Sequence, residues 1–139
     1  GNVSDVDELI QAVIARTATV GKQMLEQEHS GNPFWDVGAA SLRFASEYPV
    51  LLKDMLFHQD RYHQSYQEHM GETVIEQMRQ DPQLSGLGDE DLRQLLLQMQ
   101  VFQAGLSLMT ANGVLDHTAA ITLLRRTGEE LAQAKGRET

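Results

Sequence analysis

Between residues 55 and 69 the chain gathers three histidines and two tyrosines. These side chains combine aromatic bulk with groups that donate, accept and titrate. Placed on a helix at 100° per residue, His58, Tyr62, Ser65 and His69 fall within about 60° of one another. Met55 lies beside them and Tyr66 at the edge. Such a face can form an apolar wall with a few directional polar groups, as small-molecule pockets do. It can equally cover a core edge with its polar tips in water. Phe44 from the preceding segment, and Met99, Phe102 and Gln103 from a later one, are the candidates to close the pocket. Trp35 is read as a packing or rim residue. Histidine also brings a charge that can change near neutral pH.

Two spacings invite metal chemistry: Glu26-x-x-His29 and Asp60-x-x-His63. Three residues apart on a helix, an acid and an imidazole share a face, and di-iron bundles pair Glu-x-x-His motifs with further Glu ligands. Here one pair sits at an expected helix end, where a histidine cation is favourable for a simpler reason. The other has Asp in place of Glu. His58 and His69 are about 16 Å apart along a straight helix, too far to share an ion. No resident metal or other cofactor is expected. Nor does the chain carry G-x-S-x-G, H-E-x-x-H, G-x-G-x-x-G or G-x-x-x-x-G-K-[ST]. Gly86-Leu87-Gly88 precedes an acidic helix start, which repels phosphate. The expectation is a non-enzymatic protein.

These residues must be held by helices. Ser4 fits an N-cap, followed by acidic residues in a first turn and by Val6, Leu9, Ile10, Val13, Ile14, Val20, Met24 and Leu25 at helical spacing. That helix is expected to reach about His29. Asn32-Pro33 opens a second helix, which Pro49 ends. A short apolar segment over residues 50–57 follows, with a bend near residues 58–60. A more polar helix is expected from about Arg61 to Gln80. After a loop over residues 83–88, Asp89 opens a long helix closed by Asn112-Gly113. Asp116 caps a last helix ending at Gly136. No alternating strand pattern and no repeat occurs. The fold class is all-α, a single domain of five to six helices over residues 1–139.

The chain has 139 residues, 11 Lys/Arg against 20 Asp/Glu, and no Cys. A domain of this size buries roughly two-thirds of its unfolded surface, so it needs no disulfide staple. A formal charge of −9 opposes nucleic-acid binding by this piece, because phosphate contacts need clustered Lys/Arg. There is no secretory leader pattern. Residues 94–115 lack charge entirely, yet seven polar side chains among them make membrane insertion costly. A cytoplasmic protein without a membrane partner is expected.

The uncharged helix and the last helix carry more apolar surface than so small a body can hide. Leu106, Met109, Ala120, Leu123, Leu124, Thr127 and Leu131 are the candidate dimer contacts, in a four-helix bundle across a two-fold axis. The alternative is that both are central helices of a monomer.

The run Leu42-Arg43-Phe44-Ala45-Ser46-Glu47-Tyr48-Pro49-Val50-Leu51-Leu52-Lys53-Asp54-Met55-Leu56-Phe57 resembles the central segment of TetR/AcrR-type transcriptional regulators, where a helix ends at a proline and a short apolar helix follows. Gln103-Ala104-Gly105-Leu106 with Asn112-Gly113-Val114-Leu115-Asp116 resembles that family's penultimate helix and turn. Leu123-Leu124-Arg125-Arg126-Thr127-Gly128-Glu129-Glu130-Leu131 resembles its last helix, and residues 4–10 the junction with its DNA-binding head. The three-helix head itself has no counterpart in these residues. The resemblance implies the C-terminal effector-binding and dimerisation body of such a regulator: a homodimer, a small-molecule effector, and DNA contacted only through the helix-turn-helix head. An acidic body would keep DNA on that head. The competing expectation is a headless helical carrier of a small molecule or metal.

Overall fold

A computed structural model describes residues 3–138. Side chains of Val3, Ser4, Asp7, Arg61, Ser65, Tyr66 and Glu138 lie outside the description, and with them the proposed Ser4 cap and the Tyr66 contact.

Every described element is helical. The first helix, α1 (Val3–Glu26), includes the last apolar position, Leu25, and stops three residues short of the expected end at His29. His29 therefore sits in the loop and not in a last turn. The loop turns at Gly31, whose φ of 86° suits a residue without Cβ. Asn32 then caps α2 (Pro33–Glu47), its side chain accepting from the Trp35 N–H, with Pro33 at the first helical position. Asp36 is buried and accepts from both the backbone and the hydroxyl of Ser30, so the loop satisfies it.

Pro49 starts α3 (Pro49–Phe57) straight after α2. The chain breaks helical phase at His58, with φ −128° and ψ 48°, and resumes as α4 (Gln59–Tyr66). A π-turn (Gln67–Gly71) leads without interruption into α5 (Glu72–Arg79). The expected helix beyond residue 60 is thus one rod with a wide turn in its middle, and the body has six helical rods among the described residues. A 3-10 turn (Pro82–Leu84) occupies part of the expected loop.

The long helix α6 (Asp89–Ala111) ends in a Schellman motif. Val114 N–H donates to the Met109 carbonyl and Gly113 N–H to Thr110, with Gly113 at φ 76°. Asp116 caps α7 (His117–Glu138) through the Ala119 N–H at 2.7 Å. This helix continues through Gly136. The short turn makes α6 and α7 an antiparallel hairpin.

The main core lies where α5, α6 and α7 meet: Val74, Ile75, Met78, Leu84, Leu92, Leu95, Leu96 and Ala132. Each large aliphatic side chain buried there contributes about 1.5–3 kcal/mol. A second cluster joins Met24 and Leu25 of α1 to Ala40 of α2, and a third joins Leu106 of α6 to Ala120 and Leu124 of α7. Lys135 Nζ donates to Gln94 Oε1, tying the end of α7 to the start of α6. Among the described residues no helix is long and apolar enough to cross a membrane.

Candidate ligand cavity

A cavity of about 730 Å³ opens between the three clusters. That volume is in the range of small-molecule sites. Two phased stripes build its first walls. On α2, Phe34, Val37, Gly38 and Ser41 repeat at i, i+3, i+4 and i+7. Across α3 and α4, Leu52, Met55, Leu56, Gln59 and His63 keep a similar spacing despite the break at His58. Residues of α6 and α7 supply the opposite wall, among them Met99, Gln103, Ser107, Leu124 and Arg125.

Four of the candidate pocket residues reach this cavity: Met55, Tyr62, Met99 and Gln103. Three do not, and each has a physical reason. Phe44 is one turn beyond Ser41 and packs on the Met24–Leu25–Ala40 cluster, its ring centroid 5.3 Å from that of Tyr48. His58 occupies the break between α3 and α4, exposed, with Nε2 3.6 Å from Asp54 Oδ1. Phe102 points to the Leu106–Ala120–Leu124 cluster. His69, on the same sequence-derived face, is exposed in the π-turn. The face drawn across residues 58–69 assumed an unbroken helical phase. Among the described side chains of that face, Tyr62 reaches the cavity. Tyr62 is buried, and its hydroxyl donates to Asp54 Oδ2 at 2.5 Å.

The wall also includes residues that sequence reasoning passed over: Gln59, His63, Ser107 and Arg125. The i, i+3, i+4 spacing of Leu52, Met55 and Leu56, carried on to Gln59 and His63, was the available signal. Trp35 lines the cavity too, under the Arg125 guanidinium, which stands 4.3 Å from the ring centroid. Among the described residues no carboxylate comes within ion-pair distance of Arg125. The Ser41 hydroxyl is engaged by the Val37 carbonyl at 3.0 Å. Gln103 differs: its Nε2 is buried and has no acceptor among the described residues.

Neither acid–histidine pair gathers a metal set. Glu26, His29, Asp60 and His63 are all exposed, and no group of three potential ligands converges among the described residues.

The candidate dimer contacts divide. Leu106, Ala120 and Leu124 are 3%, 0% and 1% exposed, so they form the hairpin's internal seam and are not free for a partner. Leu131 is half-buried against the main core, and Thr127 is half-buried too. Met109 and Leu123 remain exposed. The longer exposed stripe is on α6, where Leu97, Val101 and Leu108 are 51%, 68% and 42% exposed and lie within about 40° of one another on the wheel; Leu97 and Val101 also stand at the rim of the cavity.

No protein-family model, curated protein or solved structure matches the chain.

Proposed function

We propose that the chain is the effector-binding and dimerisation body of a TetR-like transcriptional regulator. The observation that carries this reading is the large, mostly apolar cleft, open on one side to solvent, between α2–α4 and the α6–α7 hairpin. A small molecule held there touches both halves of the body, so it can favour one of two arrangements of the helices. The resemblance adds the output: a change in the spacing of two DNA-binding heads.

The α6 stripe of Leu97, Val101 and Leu108, with Leu123 of α7, supports a homodimer. Such exposed apolar runs mark association surfaces. Val6, Leu9 and Val13 on α1 form a second exposed run at i, i+3 and i+7. It lies where the resemblance expects the head to join.

Two measurements test the reading. The natural reading frame is expected to encode a basic helix-turn-helix upstream of these residues; a reading frame without one favours a carrier. In solution, Ser41→Phe narrows the cavity from its α2 wall, away from the α6 stripe. It should abolish the thermal stabilisation that apolar ligands give the parent protein. Equal stabilisation of both proteins would place the ligand elsewhere.

A further inference from the structure

Resting on the reading of the cavity as a ligand site, we infer that its ligand is an amphipathic monocarboxylate. The carboxylate accepts from Gln103 Nε2 and Arg125, and the apolar body lies against Phe34, Val37, Met55 and Met99.

The argument begins with Gln103. A buried amide N–H without an acceptor destabilises the empty protein, and a ligand oxygen placed there relieves the penalty. The α6–α7 register brings a cation to the same level. Met99 Cε lies 3.6 Å from where a Cβ on Gly128 would stand. Because the helices are antiparallel, one turn onward from Met99 is Gln103, and one turn back from Gly128 is Leu124–Arg125. The Arg125 guanidinium carbon stands over the Trp35 ring, and among the described residues no carboxylate pairs with its N–H groups, which can meet a planar oxyanion. Ser107, one turn deeper on α6, adds a hydroxyl to the wall. The opposing charge is Glu129, one turn from Arg125. Arg125, Glu129 and His63 are all exposed, so water and salt weaken each charge alike, and the buried Gln103 amide carries the preference. An ammonium ligand would reverse this pattern by seeking Glu129, which makes it the informative competitor.

Trp35 is the sole tryptophan and lines the cavity, so its emission reports occupancy. The protein is titrated with dodecanoate and dodecylamine below their micelle concentrations and with methyl dodecanoate below its solubility limit. Dodecanoate is expected to bind at least about tenfold more tightly than dodecylamine, the scale of one charged hydrogen bond. Gln103→Leu should weaken dodecanoate about tenfold and leave dodecylamine within about twofold. Gln103→Glu should reverse the preference, which a merely structural role for this side chain would not do. Arg125→Gln should narrow the gap between dodecanoate and its methyl ester. Melting temperatures close to the parent's establish that the variants are folded. Equal or tighter binding of dodecylamine, or a Gln103→Glu variant with unchanged preference, overturns the inference and leaves the cavity reading intact. Absence of binding by all three overturns both.

Discussion

The Phe34 backbone N–H donates to Asp81 Oδ2 at 2.9 Å, across 47 positions of chain. Asp81 is 1% exposed, and its Oδ1 accepts from the Gln83 N–H at 2.9 Å. One carboxylate thus serves two helical starts, that of α2 and that of the 3-10 turn before α6. The first N–H groups of a helix lack internal partners and carry the positive end of its dipole. Because Phe34 begins the cavity stripe of α2, this bond sets where that stripe stands.

Asp81→Ala is expected to cost about 1–3 kcal/mol, since it removes the acceptor of a half-buried N–H and a second cap. Asp81→Asn keeps an acceptor and should cost about half as much. Urea unfolding followed by circular dichroism measures both. A loss below about 0.5 kcal/mol for Asp81→Ala would mean that water replaces the carboxylate.

Leu124 and Val101 separate folding from association. Leu124 is 1% exposed in the α6–α7 seam, so Leu124→Ala should lose about 2–4 kcal/mol of stability through the cavity it leaves. Val101 is 68% exposed, and Val101→Glu should change monomer stability by less than about 0.5 kcal/mol. If α6 forms the dimer, Val101→Glu converts it to monomer in light scattering at micromolar concentration. A Val101→Glu dimer would move the interface off this face.

Much of the fold was legible because local chemistry decided it. Asn32-Pro33, Pro49, Asn112-Gly113 and Asp116 each specify a helix boundary without help from distant residues, and each boundary falls within a residue of its signal. The end of α1 was less legible. His29 and Ser30 lie beyond it because Ser30 is recruited by the buried Asp36, six residues on. Apolar periodicity located buried helices but not their partners. Leu106, Ala120 and Leu124 read from sequence as dimer contacts, yet they bury one another within the hairpin, because apolar spacing does not distinguish an intramolecular seam from an intermolecular one. The cavity was half legible for a similar reason. Met55 and Tyr62 belong to it, but His58 is itself the non-helical cap between α3 and α4 and His69 lies in the π-turn, so neither reaches the cavity. Nothing local signals the π-turn at residues 67–71.

Gly21 bears on that turn. A Cβ at this position would stand 3.0 Å from Met70 Sδ, so α1 passes closer to the π-turn than a side chain comfortably allows. Two effects compete in Gly21→Ala. Helix propensity favours alanine by about 1 kcal/mol, while the flexible Met70 must move aside. The net change should lie within about 1 kcal/mol of zero. Gly21→Val adds branching that Met70 has less room to avoid and is expected to lose about 1–3 kcal/mol. Chemical denaturation of both variants tests this. A stabilised Gly21→Val would show that the contact is loose.

Arg79 joins the end of α5 to the start of α6. Its Nη1 lies 2.8 Å from Glu76 Oε2, and its Nη2 pairs with Asp89. The hydrogen bond from Arg79 is the main cause holding the Asp89 carboxyl below its ordinary 3.8, with the Arg79 charge second. A carboxyl lowered on folding adds stability above its unfolded value, and the contribution disappears as pH falls through the folded one. The stability gap between the parent protein and Arg79→Gln should therefore be full near neutrality and shrink with acidification below the ordinary aspartate range. The pair is solvent-exposed, so the gap should be small and should shrink further in high salt. Carboxyl NMR titration gives the direct readout: Asp89 titrates below its ordinary range in the parent and returns towards it in Arg79→Gln. An Asp89 titration that Arg79→Gln leaves unchanged would remove Arg79 as the cause.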